Sequence, residues 1–235
     1  MCRTILIFLL LAATSAAAQI QKSNAYELVM YEYLNAPPSQ GVNYGNHPIE
    51  DLCAPRPIRN KALEMINGYH EGVFNLAQVC DVYDYFKANW TYVSDPFDEE
   101  YFASALYSVN AMRGDCDDSA IAIAACVRAI GGQVRLVAAY NYYNGHAYAQ
   151  VYIGSLSEEA VSKYLRSRYA PYGIYSSPVL EVDPWGNLWL NLDLNYSMPG
   201  GQPFPHDKAF IYTLGHPEMR AEFRNIYYGH FPTGQ

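Results

Sequence analysis

Between Asp117 and Ile130 the chain is almost wholly small and apolar, with Ala120, Ala122, Ala124, Ala125 and Ala129 set among Ile121, Ile123 and Val127. A helix of that composition has little polar face to offer water, so it belongs at the centre of a domain with close neighbours. Gly131-Gly132 supplies its stop. Its start reads Arg113-Gly114-Asp115-Cys116-Asp117-Asp118-Ser119, which puts Cys116 in a glycine-led turn at the mouth of the helix. Unpaired N–H groups and the positive end of the helix dipole gather there. Both favour a thiolate over a thiol, and the same N–H groups can hold a developing oxyanion. Asp115, Asp117 and Asp118 work the other way, since negative charge around a thiol opposes its ionisation. Asp117 and Asp118 have other uses open to them, with the helix dipole or with Arg113. A lone cysteine in an alanine-rich helix is normally a buried small residue; that fits Cys126 and fits Cys116 poorly.

Around this helix the apolar spacing divides the chain into helices before it and strands after it. Ala25 to Leu34 and Asn60 to Asn67 read as short helices, and the proline-rich stretch 36–58 as an irregular surface wrap. Val73 to Asn89 repeats its apolar residues near the helical period. Trp90 to Asp95 is short and extended, and Glu99 to Ala111 is a further helix. After Gly132 the pattern turns to strands at Gln133–Tyr140 and His146–Ile153, joined by a turn marked by Asn144-Gly145. Ser155 with Glu158 forms a capping box for a helix over about 157–169. Val179–Asp183 and Leu188–Asp193 flank a turn at Pro184-Trp185-Gly186-Asn187, and Phe210–Leu214 reads as a last strand. This order is that of an α+β fold.

The first 18 residues carry Arg3, an apolar run from Ile5 to Ala13 and an Ala16-Ala17-Ala18 end, the pattern of a cleavable export signal too short to span a bilayer. The expected protein is therefore secreted or periplasmic, with no membrane attachment after cleavage. The formal charge of −8 argues against nucleic acid as a partner. The remaining chain divides into a wrap over 19–69, a central region over 70–200 and a C-terminal extension over 201–235 packed on the same domain. Tyrosine is abundant at 23 residues; a peptide or sugar groove is one reading, composition alone the simpler one.

Export also favours disulfides. Cys116 and Cys126 would stand about 15 Å apart on one helix and cannot pair. A Cys53–Cys80 bridge, worth about 3.5 kcal/mol in the chain-entropy view, is the expectation, with Cys116 free and Cys126 buried.

A reactive thiol needs a base, and the base needs an orienting group. His146 opens a strand behind Gly145, and Asp193 closes the strand Trp189-Leu190-Asn191-Leu192-Asp193. Neighbouring antiparallel strands can bring two such side chains together. Asp183, before Pro184, rivals Asp193 but suits a turn. His206-Asp207 rivals the base in an irregular tail. His47 with Cys53 and Cys80 matches no zinc spacing, and Tyr69-His70-Glu71 lacks the second histidine of a zincin. The expectation is no metal and no cofactor.

These blocks resemble the transglutaminase-like superfamily of papain-type cysteine enzymes. The resemblance rests on Gly114-Asp115-Cys116-Asp117-Asp118, on Val127 to Arg135, on Gly145-His146-Ala147-Tyr148-Ala149-Gln150-Val151, and on Trp189 to Asp193, in that order. Trp90-Thr91-Tyr92 is similar to the segment that precedes the cysteine region. The resemblance implies a central cysteine helix packed on an antiparallel sheet. It also implies thioester chemistry, with Cys116 as nucleophile, His146 as base and acid, and Asp193 as orienter. Trp90 is a candidate oxyanion donor, with a core indole as the simpler role. Tyr148 stands where members commonly carry Trp, and the helix near 157–169 looks like an insertion. The substrate class implied is a protein, peptide or glycopeptide amide, cleaved by water or transferred to an amine. A non-catalytic domain that binds peptide or glycan is the alternative.

Overall fold

In a computed structural model of the chain, residues 49–96, 101–216 and 220–224 are described. The export segment, the helix expected at Ala25–Leu34 and His47 lie outside these residues. Two short helices, Ile49–Leu52 (α1) and Arg59–Glu64 (α2), flank a 3-10 turn at Arg56–Ile58. The proline-rich wrap is thus partly helical. Leu76–Asn89 (α3) follows. It begins three residues later than the apolar spacing alone implies, because Asn75 caps it and Gln78 answers in a capping box.

Thr91–Tyr92 (β1) pairs in parallel with Arg113–Gly114 (β2), and Ala105–Ala111 (α4) lies between them in sequence. The cysteine helix is Cys116–Ala129 (α5). It ends where Gly131 takes φ +102 and where any side chain at Gly132 would collide with Val127 and Phe74.

Val134–Tyr140 (β3) and Gly145–Tyr152 (β4) form the antiparallel hairpin. The loop spans residues 141–144, one residue shorter than the turn expected over Asn141–Gly145. Gly145 is already paired with Tyr140, and Asn141 holds the loop by accepting from the Tyr143 and Asn144 N–H groups. Glu158–Tyr169 (α6) comes next, capped by Ser157, whose Oγ accepts from Ala160 N. The Ser155–Glu158 box is therefore not the cap.

Leu180–Val182 (β5) and Leu188–Asn191 (β6) pair through the turn held by Asp183, which accepts from Trp185 N, Asn187 N, Asn187 Nδ2 and Trp189 Nε1. That fourfold use fixes Asp183 in the turn. Lys208–Thr213 (β7) starts earlier than expected and is not the last strand, since Arg220–Arg224 (β8) follows. The sheet order is β5-β6-β4-β3-β7-β8. β7 pairs directly with β3.

β3 is buried along its whole length. Val134, Leu136, Ala138 and Tyr140 face the main core that includes Ala120 to Val127 of α5. Val137 and Ala139 face the other side with Tyr148 and Ala209, covered by Phe204 and Ile211. The alternation follows from the period of a strand, and complete burial follows from cover on both faces.

Cys53 and Cys80 are free thiols, which corrects the expected bridge. They face different surroundings. Cys53 sits by Arg128 and Glu50, and Cys80 by Arg168, Tyr169, Asp84 and Asp81. Both fill core positions at 0% exposure. Among the described residues no helix is long and apolar enough to cross a membrane.

Candidate active site

The turn before α5 is built on Gly114, which sits at φ +149. A Cβ there would fall 2.5 Å from Cβ of Asp118. Asp118 occupies that space because its carboxylate receives the Ala103 N–H at 2.8 Å and reaches back to the Asp115 N–H. Asp115 is the N-cap, and its side chain accepts from Asp117 N at 3.3 Å. The aspartates are thus helix-start devices as much as charges. Their effect on the thiol is also reduced. Burial, then the charge of Asp115, holds the Asp117 carboxyl well above the usual range, which weakens its tendency to carry charge beside the thiol. Burial lifts Asp118 to about 6 against the two backbone N–H groups that favour its charge. Oxygens of Asp115, Asp117 and Asp118 lie within 4.8 Å of one another, the spacing of a cation cluster, but capping already accounts for the arrangement.

The antiparallel pairing of β4 and β6 sets Gln150 opposite Asn191 and Val151 opposite Leu190, and Leu192 N still donates to Ala149 O. Asp193 lies just past the end of β6 on the continuation of that register, one same-face step from His146. His146 Nε2 is 2.8 Å from Asp193 Oδ2. Cys116 lines the same cleft as His146, near enough for its side chain to act on the imidazole. With Nε2 engaged by Asp193, Nδ1 is the nitrogen left for the thiol. The rings of Tyr148 and Phe204 flank His146 with centroids 5.9 and 5.3 Å away. Burial pushes the imidazole pKa down, but the bond to Asp193, then the Cys116 side chain, override it and raise the value to about 10.

The three side chains line one cleft of about 420 Å³, with Trp90, Tyr92, Ser119 and Lys87 on its walls. Trp90 is partly buried against Phe86, and its Nε1–H finds no acceptor among the described residues. A buried donor left open in a cleft is a ready place for a substrate oxygen. His206, the rival base, hydrogen-bonds Phe204 O through Nδ1. His70 is bound to Asp81 at 2.7 Å, beside the Arg168–Asp81–Asp84 cluster that ties α3 to α6.

Several site residues are not singled out by the sequence patterns. Tyr83 donates its hydroxyl to the carbonyls of Asp193 and Tyr196 and so pins the aspartate loop to α3. Asn191 Oδ1 accepts from Asp193 N, and Asp193 Oδ1 accepts from Asn195 N, each at 2.9 Å. The Asn-x-Asp-x-Asn spacing is the one sequence signal for these successive turns.

A helix-borne cysteine packed on an antiparallel sheet, with a histidine from one strand beside it, defines an α+β thiol-enzyme type of fold. Residues 62–166, the segment that carries Cys116 and His146, match the family described as transglutaminase-like superfamily. The match stops short of Asp193. A solved structure from Cytophaga hutchinsonii, described as a "putative cysteine protease", is similar at 23% identity and a TM-score of 0.36. The similarity covers 53% of this chain and 44% of that one, so the chain spans less than half of that protein's length. No curated protein matches the sequence. The family match supports a cysteine-dependent enzyme in general terms.

Proposed function

We propose that the chain is an exported cysteine-dependent amide hydrolase, of peptidase or amidase type, or an acyltransferase, working through Cys116, His146 and Asp193. The observation that carries the reading is the His146–Asp193 contact at 2.8 Å on the wall of a cleft that Cys116 also lines. A raised imidazole pKa makes His146 a strong proton acceptor for a thiol that meets a substrate. The Cys116 sulfur attacks an amide carbonyl carbon, and the carbonyl electrons move onto oxygen. Trp90 Nε1–H and the Cys116 backbone N–H are the donors suited to that oxyanion. Collapse breaks the C–N bond, the amine leaves with the proton of His146, and a thioester remains. Neutral His146 then takes a proton from water, whose oxygen attacks the thioester and releases acid and thiol. An amine in place of water gives transfer. Hydrolysis is the default, since water is always present.

The open cleft and the family both favour a peptide or glycopeptide amide as substrate. The charge pattern disfavours nucleic acid, and the leader at residues 1–18 directs the protein to a secreted or periplasmic location; N-terminal sequencing of exported protein should begin at Gln19. Iodoacetamide labelling near neutral pH tests the site itself. Fast labelling of Cys116 that slows in His146→Ala supports the enzyme; an inert Cys116, indifferent to His146, favours a peptide- or glycan-binding domain. Offering a glutamine peptide with a primary amine separates hydrolysis from transfer.

A further inference from the structure

We propose that Asn195 is a positioning residue for His146, forming with Asp193 a two-acceptor seat for the Nε2–H and carrying part of the ring's orientation when the carboxylate is removed. This rests on the function proposed above only for its consequence in turnover. Two groups meet one ring nitrogen: Asp193 Oδ2 at 2.8 Å and the Asn195 side-chain amide, placed with Nδ2 toward the ring, at 3.2 Å. An ionised carboxylate only accepts, so Nε2 must carry the hydrogen. An NH₂ group pointed at that N–H would oppose it, whereas the carbonyl end of the amide, identical in shape, accepts from it. The arrangement that satisfies both neighbours has Nε2–H shared between Asp193 Oδ2 and Asn195 Oδ1.

The backbone holds this seat in place. Asn195 N donates to Asp193 Oδ1, which fixes the carboxylate oxygen that does not meet the ring. Asp193 N donates to Asn191 Oδ1, and the Asn191 amide is itself tied to the carbonyl of Gly201. Asn191, Asp193 and Asn195 therefore form consecutive two-residue steps that end on the imidazole. The other charged and titratable groups facing the ring or its thiol partner are Tyr148 from β4, Cys116 from α5, Lys87 from α3 across the cleft, and Tyr92 on the thiol side, with Asp115 and Asp117 behind the thiol. Beside them, Asn195 is the neutral group that meets Nε2.

The test is an NMR titration of the His146 imidazole in the full chain, alongside the pH dependence of Cys116 alkylation and of peptide-amide turnover. Asn195 is exposed, so Asn195→Ala is expected to fold. It should lower the pH at which His146 deprotonates by about half a unit and reduce kcat about three- to tenfold at unchanged KM. Asn195→Asp, which restores an acceptor, should recover the titration and move it upward. In an Asp193→Ala background the loss from Asn195→Ala should be larger than in the wild type. An imidazole titration unmoved by Asn195→Ala, or a change in thermal stability alone, overturns the proposal. If wild-type Cys116 is inert, the proposed function fails and the imidazole titration still decides the role of Asn195.

Discussion

His146 Nε2 and Asp193 Oδ2 stand 2.8 Å apart across 47 residues of sequence. The contact depends on the register of β4 against β6 and on the tight turn that carries Asp193 just past the strand. Asp193 is 8% exposed, so its carboxylate is aimed at the ring rather than at water. Replacing it with alanine should lower kcat for amide turnover by about 10²–10⁴, with a smaller change in KM. Steady-state kinetics on a peptide amide would show this, and a wild-type rate in Asp193→Ala would remove Asp193 from the mechanism.

The same contact makes stability depend on pH. The imidazole value is raised from its ordinary 6.5 to about 10, net of a burial effect that lowers it. A raised value means that the folded state binds the proton more tightly than the unfolded state does. The stabilisation is complete below about 6.5 and is lost as pH climbs through about 10. Wild type should therefore lose a few kcal/mol more than His146→Ala over that interval. Urea denaturation at intervals from pH 6 to 10 measures it; parallel curves for the two proteins would contradict the coupling.

Gly114 should be intolerant of any side chain. Alanine there meets two obstacles at once, a left-handed φ of +149 and the Asp118 side chain. Asp118 cannot withdraw cheaply because it satisfies the N–H groups of Ala103 and Asp115. Gly114→Ala should cost about 2–4 kcal/mol, and alkylation of Cys116 should slow because the turn that presents the thiol moves. Equal denaturation midpoints for the two proteins would refute this.

The helices and strands that hold the site are legible because their apolar periods are strong. The cysteine helix is one residue from its expected start, and β3, β4 and β6 fall within two residues of their expected ends. What escaped depends on contacts between distant segments. The role of Tyr83 needs the carbonyls of Asp193 and Tyr196 to come near α3. The role of Asp118 needs Ala103. No local pattern encodes either contact. The Cys53–Cys80 pairing failed for the same reason: compartment and count say that bridges are favourable, but only the packing says which thiols meet.

Trp90 should matter to kcat through a single atom. Its Nε1–H is buried at the cleft wall without an acceptor among the described residues. Trp90→Phe keeps the ring against Phe86 and removes the donor. A loss of about 10²–10³ in kcat with KM nearly unchanged is expected for an oxyanion donor. A stability loss with unchanged kcat would make Trp90 a core residue only.

The four described cysteines should divide sharply by reactivity. Burial raises the thiols of Cys80 and Cys126 to about 12 and pushes Cys53 up as well, and all three are 0% exposed. Cys116 is partly exposed and lies at the cleft beside His146. Native protein prepared without residues 1–18 should therefore titrate one thiol rapidly with a disulfide reagent and all four after denaturation without reductant. Mass mapping should place the first label on Cys116. Two fewer thiols in the denatured, unreduced protein would mean that a bridge forms on export and that the free-thiol arrangement is wrong.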